Sequence, residues 1–336
     1  MTIERPGNSP GRPAAGSITV VSGGVGAARL LRGLIDVVGA AELAAVVNTG
    51  DDTVMPGRAI SPDLDTITYT LADAIDPERG WGLRDETWQA MAALARYTPV
   101  RPDASAAATT WFNLGDRDLA THLYRTARLA EGARLTDVTA EITAAWQLDA
   151  TLLPMSDEPV RTIVTTALGE LSFQEYFVRE RHDVSATAID VRHGGASLTP
   201  EAAAALRADV VVVAPSNPLV SIAPIRALAG VDDALRARRD TVVAVSPLVG
   251  GRALKGPAER LMRELGHRPD SVGVAAIYAP IAGTLLIDEV DRGLEDEVRA
   301  AGMDCVVCDT IMATPQRAAA LARRCLAAAG SGDPSR

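Results

Sequence analysis

The sequence predicts an α/β protein with a Rossmann-like, mostly parallel, doubly wound sheet and a helical insertion. Three observations carry this reading. A β-branched run, Ser17–Val21, enters the glycine-rich turn Ser22-Gly23-Gly24-Val25-Gly26, and Ala27–Val38 follows with Leu30, Leu31, Leu34, Ile35 and Val38 at helical spacing. A second apolar run, Leu43–Val47, then ends in Asn48-Thr49-Gly50-Asp51-Asp52, completing a βαβ unit. Further along, short apolar runs alternate with helical patterns, as strands joined by crossover helices must.

From about residue 66 to 148 the pattern is almost wholly helical. Thr66–Ala74, Asp85–Ala95, Arg117–Glu131 and Leu135–Trp146 are each amphipathic and are separated by Gly or Pro breaks. Strands are expected again at Thr151–Leu153, Thr162–Thr166, Val184–Val191, Val210–Ala214, Thr241–Val245, Val272–Ala276, Thr284–Ile287 and Cys305–Val307. Residues 17–330 read as a single domain carrying its insertion at about 66–148. Residues 1–16, rich in Pro and Gly, read as a disordered tail without the apolar core of a signal peptide, and 331–336 as a flexible C-terminus.

Composition narrows the function. The chain has 336 residues, 47% of them hydrophobic, enough for a substantial core. Its longest apolar runs fall far short of the ~20 residues that a membrane helix needs. A formal net charge of −10 disfavours nucleic-acid partners, which require a positive field. Three cysteines in so long a chain argue for a reducing cytoplasm rather than a disulfide framework. Cys305 and Cys308 have the C-x-x-C spacing of zinc or redox sites, but on a strand residues three apart face opposite ways. Lys255 is the only lysine among 33 basic residues. In a composition this biased towards Arg and Ala, its retention hints at function.

Ligands of open α/β sheets bind beyond the carboxyl ends of strands, so the turns there hold the candidate chemistry. Gly23, Gly24, Val25 and Gly26 would let backbone N–H groups approach a phosphate at the positive end of the next helix. The string is neither a Walker A loop nor G-x-G-x-x-G, and a plain glycine turn is the alternative. Asp51, Asp52, Asp63 and Asp65 place four carboxylates within fifteen residues, a set suited to Mg²⁺ with substrate phosphate oxygens. Their alternative is as turn residues and as caps of the helix near Thr66. Pro215-Ser216-Asn217-Pro218 follows the most hydrophobic strand and offers a hydroxyl and an amide to a base or ribose, or else caps the next helix. His122, four residues after Asp118, reads by default as part of a helix whose acidic start suits the dipole.

Seven segments taken together resemble the 2-phospho-L-lactate transferase family of coenzyme F420 biosynthesis, whose actinobacterial members act as phosphoenolpyruvate transferases. They are Ser22–Gly26, Asn48–Asp52, Ser61–Thr66, Leu114–His122, Met155–Asp157, Pro215–Pro218, and Ser246-Pro247 through Lys255-Gly256-Pro257. The resemblance implies transfer of a phosphoenolpyruvyl or 2-phospholactyl group from a guanosine diphosphate ester to the ribityl hydroxyl of the deazaflavin Fo, releasing GMP. It further implies a Mg²⁺ cofactor and a homodimer. Gly23–Gly26, Ser216 and Asn217 match the family's nucleotide site, and Asp65 and Asn113 match its deazaflavin contacts. Arg29 stands where many relatives have Lys, keeping the charge with another geometry. Asp51 and Asp63 are the candidate metal ligands, and Asp63 and Asp65 the candidate catalytic acids. Two other readings are a non-catalytic nucleotide-sugar-binding regulator of similar fold and, more remotely, a nicotinamide-dependent oxidoreductase.

Overall fold

The computed structural model describes residues 17–103 and 105–330; the expectations for 1–16 and 331–336 lie outside them. Seven short, mostly apolar segments form one parallel sheet: β1 (Ile18–Ser22), β2 (Leu43–Val47), β3 (Thr151–Pro154), β4 (Val210–Val213), β5 (Val242–Val245), β6 (Thr284–Asp288) and β7 (Asp304–Cys308). Their order is β7-β6-β5-β4-β1-β2-β3. The chain winds outward from β1 through β2 to β3, then returns to β4 on the other side of β1. This reversal makes the gap between β1 and β4 the topological switch point, where connecting chains diverge and a crevice opens.

Alternation along each strand divides the core into two layers. Val20, Val212, Val243 and Leu286 pack on one face against the helices α1 (Gly24–Val38), α2 (Pro62–Leu71) and α4 (Pro315–Gly330). Val21, Val211, Val213 and Leu285 pack on the other against Ile222, Leu235, Met262 and Tyr278. Cys305 belongs to the second layer and Cys308 to the first, so the two thiols lie on opposite faces of β7 and form no joint site. Burial pushes each of them up to about 11.

Four expectations need correction. Val272–Ala276 is not a strand but lies in the helix Ser271–Tyr278. A short, uniformly apolar run carries no period to separate the two, and Asp270 decides it by accepting the N–H groups of Val272 (3.0 Å) and Gly273 (3.1 Å). The runs expected at Thr162–Thr166 and Val184–Val191 do not join the parallel sheet. Arg161–Thr166 is instead the central strand of a separate three-stranded antiparallel sheet, paired with Gly169–Ser172 on one side and Ala186–Arg192 on the other.

The segment expected to be almost wholly helical is so only at its ends. α2, α3 (Asp118–Ala130) and the helix Leu135–Ala145 flank a stretch of turns that holds one short helix, Gln89–Leu94, and a 3₁₀ turn. That stretch is braced by exchanged caps. Glu86 accepts the N–H groups of Arg117 and Asp118, each at 2.8 Å, at the start of α3. Asp116 accepts those of Gln89 and Ala90, each at 2.9 Å, at the start of the short helix. Each carboxylate thus answers the orphan donors of the other segment.

Asp270→Ala should lower stability by about 1 kcal/mol, the usual worth of an N-cap, read as a fall in urea midpoint at unchanged slope.

Candidate active site

β1 and β4 are hydrogen-bonded neighbours, and the turns after them are locked together. Ser216 Oγ donates to the Gly23 carbonyl (2.7 Å) and accepts the Gly23 N–H (3.3 Å). Gly26 closes the same contact, because a Cβ there would overlap the Pro215 carbonyl oxygen. Gly24 adopts φ +73°, a left-handed value that favours glycine. Helix α1 therefore begins at Gly24, directly beyond the sheet and at the switch point. The first N–H groups of any helix lack intrahelical acceptors and form a positive, anion-receiving end. Arg29 follows on the second turn of α1, exposed.

The acidic turn after β2 faces this helix start. The Asn48 amide nitrogen donates to Asp51 Oδ1 (3.2 Å) and to Asp63 Oδ2 (3.0 Å), while its Oδ1 accepts the Gly50 N–H (2.8 Å). Asp63 also accepts the N–H of Gly24, and a Cβ on Gly23 would lie 2.6 Å from its Oδ2. Glycine loop and acids are thus one site, with Asp63 as the hinge between them. Gln174, from the turn beyond the antiparallel sheet, donates to the Asp51 carbonyl and to Asp51 Oδ2, each at 3.3 Å. Asp52 accepts from Ser61 Oγ at 2.6 Å.

Burial sets the ionisation of these groups. Desolvation, then the charges of Asp63 and Asp52, hold the Asp51 carboxyl well above its usual range. Desolvation does the same to Asp52 against the Ser61 hydrogen bond. Asp63 is pushed up to about 6 by burial, opposed by the Asn48 and Gly24 hydrogen bonds. Three buried oxygens around this turn, Thr49 Oγ1, Asp52 Oδ1 and Thr162 Oγ1, have no hydrogen-bond partner in the protein. Among the described residues no three His, Cys, Asp or Glu side chains form a metal cage. Mg²⁺ requires only one or two carboxylates beside water and phosphate oxygens, so the Asp51–Asp63 pair, with the unpartnered oxygens of Thr49 and Asp52 on the same turn, fits it.

Asp65, two residues beyond Asp63 along α2, is engaged differently. Arg125 grips both of its oxygens, Nη1 at 3.1 Å from Oδ2 and Nη2 on Oδ1. Arg125 is 2% exposed and Asp65 5%, so this is a buried ion pair. His122 places Nδ1 3.7 Å from Asp65 Oδ2 and Nε2 3.2 Å from Asp118 Oδ2. Tyr69 donates to Asp118 Oδ1 at 2.6 Å. Burial opposes the charge on Asp118, but the hydrogen bond and charge of His122 and the Tyr69 hydroxyl bring its carboxyl below the usual range.

The structure therefore gathers Gly23, Gly24, Val25, Gly26, Ser216, Asp51 and Asp63 at the switch point, with Asp65 just behind. The Asn217 side chain caps the following turn, accepting from Leu219 N at 2.9 Å. Asn113 stands exposed in the coil before Leu114, which is buried with Met55, Ile60 and Met91. Neither Asp63 nor Asp65 caps α2, which starts at Pro62 behind Ser61. Asp118 and His122 do not serve as a helix cap either, since they face inward and Glu86 caps α3. Asn48, Gln174 and Arg125 were missing from the sequence-derived site. The spacing Asp118, His122, Arg125 marks one face of α3 and was a legible signal; nothing local marks Gln174.

Fold and site define a doubly wound α/β protein in which an anion-receiving helix start opposes a carboxylate pair, the apparatus of a phosphate-ester transferase. The family described as 2-phospho-L-lactate transferase CofD matches residues 18–326, and the chain belongs to it. The assignment expected from the seven segments is thereby met. Similar proteins include a phosphoenolpyruvate transferase of Streptomyces griseus, 41% identical over 318 residues, covering 92% of this chain and 97% of that protein. One from Mycolicibacterium smegmatis is 41% identical over 332 residues, covering 93% and 98%. Two crystal structures of a Bacillus halodurans protein, described as a UPF0052 family member, superpose with TM-scores of 0.59 and 0.57 at 14% identity. They cover 93% and 92% of this chain and 100% and 98% of their own, a likeness of fold.

Arg125→Met leaves the Asp65 charge buried without a partner and should cost about 3–5 kcal/mol of stability, against a smaller loss when Asp65→Asn is added; urea denaturation of both variants reads the difference. A carboxyl raised in the fold from 3.8 to about 6 stabilises most at acid pH, and that contribution fades as pH rises through about 6. In chelator, Asp63→Asn should therefore gain Tm relative to the parent between about pH 4 and pH 7, with little difference at pH 4.

Proposed function

We propose that the chain transfers a phosphoenolpyruvyl group, or the related 2-phospholactyl group, from its guanosine diphosphate ester to the ribityl hydroxyl of the deazaflavin Fo. GMP leaves, and the product is dehydro-coenzyme F420-0 or coenzyme F420-0. One observation carries the reading: Asp63 touches both the Gly24 amide at the helix start and, through Asn48, the Asp51 carboxylate. A diphosphate seated on that helix would lie beside the acids. The names of the Streptomyces and Mycolicibacterium relatives favour the enolpyruvyl donor.

In this reading Gly23, Gly24, Val25, Gly26 and Arg29 hold the diphosphate, and Ser216 and Asn217 border the guanosine. Asp51 and Asp63 would hold Mg²⁺, which supplies neutralisation of charge on the phosphoryl oxygens. The Fo hydroxyl oxygen attacks the phosphorus that bears the acid. The bond from that phosphorus to the bridging oxygen breaks, and GMP departs with the oxygen and its electron pair. Asp65 and Asn113 contact the deazaflavin. Each Asp65 oxygen receives an Arg125 N–H yet keeps a further lone pair, so Asp65 can orient the attacking hydroxyl and take up its proton. Catalysis of this kind is chiefly positioning and charge stabilisation.

The reading extends to a homodimer and to a cytoplasmic setting, the latter supported by three free, buried thiols. No helix among the described residues is long and apolar enough to cross a membrane.

Purified protein should couple Fo to the guanylyl donor only with Mg²⁺, and Asp63→Asn should lower kcat/KM by about 10²-fold or more, the scale of one lost electrostatic stabiliser. Full turnover in chelator sinks the metal role, and UDP-sugar binding without turnover supports a regulator instead. With both donors present, mass detection of the two-hydrogen difference in product identifies the preferred acid.

A further inference from the structure

The antiparallel sheet lies outside the parallel one, yet it is tied to the acidic turn at adjacent residues. The Thr162 N–H donates to the Gly50 carbonyl at 2.7 Å. Next along that turn, the Gln174 amide nitrogen donates to the Asp51 carbonyl and to Asp51 Oδ2, each at 3.3 Å. Asn48 donates to the other carboxylate oxygen, Asp51 Oδ1, at 3.2 Å. Two amides from separate segments therefore fix the plane of one carboxylate.

The mounting of Gln174 is stiff. Glu175 Oε2 accepts both the N–H and the hydroxyl of Ser172, each at 2.9 Å, and Ser172 Oγ accepts the Glu175 N–H at 3.3 Å. This reciprocal clamp encloses Phe173 and Gln174. Beyond it a single turn of π-helix, Glu175–Arg179, buries Tyr176 with Val164 and Leu171, while Phe173 stacks on Phe177 at 5.5 Å. Gln174 itself is 5% exposed, so packing on both sides delivers its amide to Asp51.

The kind of donor is informative. Asp65 receives a guanidinium on both oxygens, whereas Asp51 receives two carboxamides, which orient it and bring no charge. A cation bound to Asp51 would compete with a metal ion for it. An amide does not compete, and it leaves each oxygen a further lone pair. On the same turn Thr49 Oγ1 is buried and has no hydrogen-bond partner. Metal ligands are commonly oriented by such an outer layer of hydrogen bonds.

We propose that Gln174 is the positioning residue of the divalent-metal site: its amide holds Asp51 in the orientation that receives the ion, without competing for it. The proposal rests on the metal role given to Asp51 and Asp63 above. The antiparallel sheet thereby takes part in the reaction, as the mount of that amide.

Mn²⁺ alone, as a stand-in for Mg²⁺, is titrated into the full chain and followed by loss of the free-ion electron paramagnetic resonance signal. Gln174→Met should weaken binding about 10- to 100-fold, the usual effect of losing an outer-layer partner. Gln174→Lys keeps a donor for Asp51, and so keeps the turn braced, but it adds a charge and should weaken binding at least as much. Near-ultraviolet circular dichroism checks that both variants are folded. In turnover, the deficit of Gln174→Met at low Mg²⁺ should shrink as Mg²⁺ is raised, with KM for Fo unchanged. Equal Mn²⁺ affinity in parent and Gln174→Met, or parent-like affinity in Gln174→Lys, overturns the proposal and leaves the metal role standing. A parent that binds no Mn²⁺ at millimolar concentration overturns the metal role, and the proposal with it.

Discussion

Four carboxylates gathered behind one strand end repel one another, and the rest of the site exists to hold them there. Out of water a bare carboxylate is costly, and several together are more so. The fold answers each acid separately: Asn48 spans Asp51 and Asp63, Gly24 lends Asp63 an amide, Ser61 serves Asp52, and Arg125 neutralises Asp65. Only Asp65 receives a full positive charge. The other three are held by neutral donors, and burial raises their carboxyls towards the uncharged form beside the positive end of α1. Carboxyls raised in this way are a destabilisation of the kind active sites retain.

The sheet was legible because its strands are apolar on both faces and bounded by turn residues. Ser17–Val21, Leu43–Val47 and Val210–Ala214 could scarcely be anything else, and the glycine turn after the first fixed the start of the winding. What misled was segments whose state is set from outside. Val272–Ala276 owes its helix to one cap residue upstream. Arg161–Thr166 has a strand's composition, but nothing in it says which sheet it joins. In the stretch between α2 and α3, side chains at 86 and 116 brace turns around a small apolar cluster, and hydrophobic periodicity is blind to such bracing.

The site was half legible for a related reason. Residues presented by turns at strand ends, Gly23 to Gly26, Asp51, Asp63 and Ser216, declare themselves by type and place. The residues that position them come from far along the chain. Gln174 reaches Asp51 across 123 positions and Arg125 reaches Asp65 across 60. Resemblance to a family brought the turns together without explaining them. Geometry supplies the explanation: Ser216 clasps the two halves of the winding at their point of divergence.

The exchanged caps of Glu86 and Asp116 bear on how the molecule responds to its surroundings. The parallel sheet coheres by removal of apolar surface from water, and excluded salts strengthen that cohesion. The brace between α2 and α3 coheres by carboxylates lying on exposed helix ends, an attraction that mobile ions screen. One chain thus contains two mechanical materials with opposite responses to ionic strength. The braced segment softens under conditions in which the sheet stiffens.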